Sequence, residues 1–382
     1  MNIDLDYIIR IRRELHQVPE IGFNLPKTFA IIRRELDALG IPYTEKWSEA
    51  SIVATLGEGV GHKTIAVRAD NDGLPIQEET GLPFASTIEG QMHACGHDCH
   101  TAMLLGTAKA LKEMEKEIKC CVKFVFQGPE EGPSGAKVIC ETGVMDEIDE
   151  IIGCHVSPVN ALGAVRLNRG PMNASSRSFQ ITLHGKSSHV ARPQHGVDAI
   201  AMAARVYTDI QIMRAREMDP LQPVVIGIGT IHGGTAVNIV CDTVTMSGTI
   251  RALTPENDEK AWRRIQEIAK NVAEEMGGSA ETETLRFTPA VINNANVADG
   301  IIEAAKKVAD PALIEPNKEI SMGAEDFSRF QHRKPGAMFT LGAAPTEDAK
   351  IPLHNGKMIL NEKALEIGPK VFIQYILDQM EK

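Results

Sequence analysis

Three short segments constrain this chain most, because each is apolar on both faces or nearly so: TIAVRAD (64–70), CVKFVFQ (121–127) and DEIIGC (149–154). A strand with one wet face alternates apolar and polar residues. A strand covered by helices on both sides reads as a near-continuous apolar run. Between the first two runs a helix starts near Asp98, with Met103, Leu104, Ala108, Leu111 and Met114 on one stripe. Helices are also expected over 5–15 and 27–39. Strand, helix, strand in this order implies βαβ units around a buried sheet.

The pattern changes after Pro171. Phe179, Ile181 and Leu183 alternate with polar residues, as in a strand with one solvated face. A helix follows over about 197–215, then strands near 224–231 and 243–251. Thr254-Pro255 is an N-cap followed by a proline at the first helical position. The helix it opens turns Trp262, Ile265, Ala269, Val272 and Met276 inward and stops at Gly277-Gly278. ETETLRF closes the unit as a strand. The order β-α-β-β-α-β is that of a ferredoxin-like unit. The expected class is therefore α/β: a larger mixed-sheet domain, residues 1–172 and 287–382, with an α+β domain inserted at 173–286. A chain of 382 residues is long enough for two such cores.

Bulk properties exclude some partners. The net charge is −11 and no long basic run offsets it, which argues against nucleic acid. No apolar run approaches the roughly 18 residues of a membrane helix, and the opening MNIDLDYIIRIRRELHQ reads as an amphipathic helix rather than a secretory signal. Seven cysteines, an odd number without such a signal, point to reduced thiols and a cytoplasmic location. Cys120 and Cys121 are neighbours on a strand and face opposite ways. His62, His184, His232 and His332 lie in polar surroundings and read as surface residues.

The reactive residues gather where the apolar strands end. Asp70 and Asp72 follow TIAVRAD, Glu130 and Glu131 follow CVKFVFQ, and His155 follows DEIIGC. Open α/β sheets bind ligands beyond the carboxyl ends of their strands. A lone histidine there is more often structural than a ligand, and a Glu-Glu pair is usually solvated loop charge. HACGHDCH (93–100) resists such a bland account, with three His, two Cys and an Asp in eight residues. An extended backbone would point Cys95 and His97 to one face. Thiolate, imidazole and carboxylate together suit zinc, cobalt, nickel, iron or manganese. Of the two glutamates, one can ligate while the other takes a proton from bound water.

At HACGHDCH the chain resembles the two-domain metallo-aminoacylases and carboxypeptidases, in the branch with hippurate hydrolases and indole-acetyl-amino-acid hydrolases. LHQVPEIGFNLPKT (15–28), RADNDGLPI (68–76), FQGPEEGPSGA (126–136), GCHVSP, SSHVARPQHGVDAI, GTIRAL, MGAEDFS and PLHNGKMILNE follow in that family's order. The resemblance implies hydrolysis of the amide bond of N-acyl-L-amino acids, with two divalent ions per subunit (zinc, manganese, cobalt or nickel). Cys95, His97, Glu131, His155 and His354 would be the ligands. Glu130 would be the general base and later the acid. Asp70 and Asp98 would orient ligands. His189 would help hold the tetrahedral oxyanion, and Asn238 and Arg251 the substrate carboxylate. The inserted domain would act as lid and dimer interface, giving a homodimer or higher homo-oligomer. Asn71 and Gly73 depart from the branch's Met and Ala, GPEE from its usual A or P before the pair, and NIVC (238–241) from its N-V-I-P. None removes a ligand or the base.

Other readings stand beside this one. A carboxypeptidase or dipeptidase, or an N-acetyl-diaminopimelate deacetylase, would use the same centre. A metal-binding regulatory protein on a hydrolase scaffold, or a thiol sensor at Cys95, would not be an amide hydrolase at all.

Overall fold

The structure is a computed structural model and describes residues 3–49, 51–317, 319–346 and 350–380. It divides into two compact units. The larger comprises Met1–Gly170, Ile292–Glu319 and Asp326–Lys382; the smaller comprises Pro171–Val291 and Ile320–Glu325.

The larger unit is built on an eight-stranded sheet. Its four central strands are β1 (Thr64–Asp70), β2 (Cys121–Gln127), β3 (Glu150–Ser157) and β4 (Gly336–Gly342). They run parallel in the order β2-β1-β3-β4. Every residue of β2 and β4 is buried, which explains their near-continuous apolar sequence. Ser51–Leu56 flanks β2 antiparallel and Val165–Arg166 flanks β4 antiparallel. Because β2 lies on one side of β1 and β3 on the other, the strand order reverses between β1 and β3. A crevice opens at such a switch point, beyond the carboxyl ends of the strands.

Helices α1 (Leu5–His16), α2 (His97–Glu113) and α3 (Ile367–Met380) contribute to one apolar core over this sheet. Asp4 caps α1, its side chain accepting from the Tyr7 N–H, while Ile8, Ile11 and Leu15 turn inward. In α2 the expected stripe broadens to nearly the whole circumference, and the first turn, His97 to Thr101, is buried as well.

The smaller unit has its own core. A four-stranded antiparallel sheet runs Val224–Gly233, Thr243–Ala252, Ser176–His184, Ser279–Thr288, and helices Ala199–Glu217 and Pro255–Glu275 pack on it. Phe179, Ile181 and Leu183 are its buried positions on the Ser176–His184 strand. Thr254 accepts from the Asn257 N–H at the head of the second helix, with Pro255 first in it. One piece lay beyond hydropathy: Ile320–Glu325 joins this unit from far down the chain. Among the described residues no helix is long and apolar enough to cross a membrane.

Candidate metal centre

The centre is assembled from the turns that leave three parallel strands. After β1 the chain runs Asp70-Asn71-Asp72-Gly73. Asp72 is fully buried, and its carboxylate accepts the backbone N–H of Glu130 at 3.0 Å and of Glu131 at 3.1 Å. It also accepts from His97 Nδ1 at 3.0 Å. The turn after β2 thus hangs from the turn after β1. Gly73 packs the same turn against the chain at Pro19-Glu20: its N–H reaches Glu20 O at 2.7 Å, and a Cβ there would lie 2.9 Å from Pro19 Cβ.

Cys95 and His97 share a face for a different reason from the one expected. The segment is not extended. Gly96 has φ +85°, and His97 opens α2. A Cβ at Gly96 would sit 2.5 Å from Val156 Cγ2, so both backbone and space require glycine. His155 lies within β3 rather than beyond it, since that strand continues to Ser157. Its Nδ1 donates to Val156 O at 2.7 Å, leaving the Nε2 lone pair facing Cys95 Sγ at 3.4 Å. His354 has φ +61°, a strained backbone for a residue with a side chain. Its N–H holds Ala94 O at 2.9 Å, and its Nε2 lies 2.9 Å from Glu131 Oε1.

Two donor triads result, Cys95–His97–His155 and Cys95–Glu131–His354, each with its donor atoms within 4.8 Å of one another. They share the Cys95 sulfur. Glu130 joins His97 and Glu131 within the same distance. A tetrahedral ion with sulfur and nitrogen ligands sets those two atoms about 3.5 Å apart, close to the 3.4 Å between Cys95 Sγ and His155 Nε2. His97 Nδ1 is engaged by Asp72, so its buried Nε2 is the nitrogen turned to the centre, with Asp70 Oδ2 3.4 Å away. These donors fit divalent cations.

The electrostatics agree. Burial pushes the Cys95 thiol well above its ordinary range, against the pull of His97. A cation at the sulfur is what would make thiolate the stable form. Burial opposes ionisation of Glu131, yet the His354 hydrogen bond and the charge of His97 hold its carboxyl down at about 2. Burial likewise opposes the charge on His97, and Asp70 and Cys95 outweigh it, raising the imidazole well above its usual value.

Cys95, His97, Glu130, Glu131, His155 and His354 therefore meet in one place. Asp70 lies against them, 3.4 Å from His97 Nε2, and accepts from His100 Nδ1 at 2.5 Å. His100 Nε2 takes the Val156 N–H at 2.9 Å, so both its nitrogens are spent. Asp98 is a correction. Its carboxylate turns to α1, with Arg12 Nε at 2.8 Å and His16 Nδ1 at 2.8 Å, and it orients no donor of the cluster. The residue that does so is Asp72, for which the signal was the Asp-x-Asp spacing after β1. His189, Asn238 and Arg251 belong to the smaller unit. His189 and Asn238 are exposed; His189 pairs with Ile239 on a two-stranded ladder, and just beyond it the Val190 N–H meets Asn238 O at 3.0 Å. Arg251 is half-buried on Thr243–Ala252.

Residues 66–378 match the model of the peptidase family M20/M25/M40. The chain belongs to this family. It is 35% identical to thermostable carboxypeptidase 1 of Saccharolobus solfataricus, over 95% of this chain and 93% of that one. It is 33% identical to the N-acetylcysteine deacetylase of Bacillus subtilis, over 98% and 97%. Among solved structures it superimposes on the YXEP protein of Bacillus subtilis, described as a dinuclear metal-binding peptidase of the M20 family, with a TM-score of 0.86 and 31% identity over 99% of this chain and 98% of that one.

Proposed function

We propose that this M20-family hydrolase cleaves the amide bond of N-acyl amino acids at two divalent ions held by Cys95, His97, Glu131, His155 and His354. What carries the reading is the pair of donor triads joined at one sulfur, with a second glutamate beside them. When bound, the ions supply Lewis acidity, bringing the pKa of a coordinated water from about 15.7 to about 7 and polarising the scissile carbonyl. Glu130 takes the proton from the attacking water and returns it to the departing nitrogen. Asp72 and the Val156 carbonyl hold the outer nitrogens of His97 and His155, so both rings turn their other nitrogen to the centre. For His189 the proposed task is to donate to the oxyanion, and for Asn238 and Arg251 to grip the substrate carboxylate.

The N-acyl preference draws on the deacetylase relative. The carboxypeptidase relative favours a second reading, cleavage of true peptides at the same centre. A panel of N-acetyl, N-benzoyl and dipeptide substrates separates the two. A homodimer through the smaller unit is also proposed. Its outer strand Val224–Gly233 is an open edge that exposes Val225 and Ile231, and a monomeric mass by light scattering would remove this part. The decisive variant is Glu130→Gln. It should keep both ions and lose about 10²–10⁴-fold in kcat. Near-normal turnover by the metal-loaded variant would overturn Glu130 as the base.

A further inference from the structure

Asp326 takes no part in the chemistry just described, yet its buried carboxylate is surrounded by donors. Arg68 Nη2 reaches it at 2.8 Å, Gln127 Nε2 at 2.9 and 3.0 Å, Ser134 Oγ at 2.6 Å and the Ala136 N–H at 3.2 Å. The donors come from β1, from the end of β2 and from the segment just after Glu130-Glu131. Asp326 also turns its own backbone N–H to Glu130 Oε1, at 3.2 Å. Arg68 extends the connection inward. Its Nη1 lies 3.1 Å from Asp70 Oδ2, and its Nε donates to Gln127 Oε1 at 2.7 Å.

We propose that Asp326 is a positioning residue for the base. Its carboxylate ties the Ser134–Ala136 segment to the ends of β1 and β2, and so keeps its own N–H seated on Glu130. The proposal rests on Glu130 being the base. The chemistry of the pocket explains why a carboxylate is needed. Every partner is a donor, and Gln127 is locked with its amide nitrogen toward Asp326 because its oxygen is taken by Arg68. An asparagine there would turn its NH2 group toward one or more of Arg68, Gln127, Ser134 and the Ala136 N–H, leaving buried donors unpaired. The shift need not be large, since a misplacement of about 1 Å can cost about 10²-fold in rate.

The test combines Asp326→Asn with Glu130→Gln. D326N should lose about 10- to 100-fold in kcat per metal-loaded molecule while KM and metal content hold. In the E130Q background, adding D326N should change the residual rate by less than about twofold, because a residue that acts through Glu130 has nothing left to act on. A purely structural contribution would multiply the loss instead. On metal-free protein, hydrogen exchange over residues 324–328 should rise in D326N, whose lost carboxylate ties unseat the N–H from Glu130, and should change little in E130Q, whose amide oxygen can still accept that N–H. If D326N fails to fold or to load metal, Ser134→Ala carries the test: it removes one donor and should lower kcat several-fold at unchanged KM. A kcat within twofold of the parent in the folded D326N, or in S134A where D326N does not fold, overturns the proposal. E130Q distinguishes the failures. If E130Q keeps its turnover, the base assignment falls and this proposal with it; if E130Q is inactive and D326N is not impaired, only this proposal falls.

Discussion

His97 and Asp98 are consecutive residues at the head of α2, yet they belong to two buried polar clusters built on opposite rules. Around Asp98 the charges are matched. Its carboxylate meets Arg12 and His16, Arg12 also reaches Glu362 at 3.2 Å, and His16 also reaches Glu78 at 3.3 Å. Around His97 the donors that converge are thiol, imidazole and carboxylate, and the nearby Arg68 is taken up by Asp70 and Asp326. Low-dielectric burial penalises unpaired lone-pair donors heavily unless something positive joins them. Lone-pair donors converging on one sulfur separate the ligand site from the paired structural network.

Removing the shared sulfur should break the comparison most sharply. Cys95→Ser is expected to lose at least one ion per subunit and about 10³-fold in kcat, as several kcal/mol of transition-state stabilisation goes with it. Its folding stability without metal should change little. Elemental analysis beside steady-state kinetics checks this, and a variant that retained two ions and its turnover would refute the joined triads.

The matched cluster should respond in the reverse sense. Asp98→Ala leaves Arg12 and His16 buried with one carboxylate each, a loss of about 3 kcal/mol in stability, at the low end for a broken buried pair. The folded fraction should still bind metal with parental stoichiometry. Burial opposes the charge on Asp98, but Arg12 and His16 outweigh it and hold the carboxyl well below its usual 3.8. The stabilisation is therefore complete above the unfolded value and fades as the pH falls below 3.8 toward the folded one. His16 works in the other direction. Burial opposes its charge, Asp98 and Glu78 raise its pKa above 6.5, and its contribution is full below 6.5 and lost as the pH rises through the folded value. Urea unfolding of parent and variant should show a gap that is widest between these limits and narrows in acid. A gap of constant width from pH 3 to 7 would contradict the charge-pair account.

How much of this was legible in the sequence follows the same division. β1, β2 and β3 announced themselves because burial on both faces forbids polar alternation. The candidate ligands stood out because a doubly wound sheet offers its strand ends to ligands. The direction of a side chain was not legible. Asp98 and His97 diverge because consecutive residues of a helix point about 100° apart, and which of them faces the centre depends on where the helix starts after Gly96. Asp72 and Asp70 are two residues apart, and only the folded loop shows that Asp72 carries both glutamate amides and His97. Asp326 stands 196 residues from Glu130, whose carboxylate accepts its N–H. Local spacing says nothing about such a contact. Nor could local spacing show that Ile320–Glu325 belongs with the smaller unit.

Asp72 tests where the two clusters meet the chain, and its effect should be the smallest. In Asp72→Asn the remaining oxygen can still accept from His97 Nδ1 and the Glu130 N–H, which share Oδ1 at 3.0 Å each. The new amide nitrogen, however, faces the Glu131 N–H that Oδ2 held at 3.1 Å. Donor against donor should loosen Glu131, a member of the second triad, while the first triad keeps its geometry. The expected outcome is a 10- to 100-fold weaker affinity for metal, roughly that of removing an outer partner of a ligand, with kcat at saturating metal within a few-fold of the parent. Competition with a chelator measures the affinity. An unchanged affinity would mean that the Asp72 clamp serves the loop alone, and that the triads assemble without help from the turn after β1.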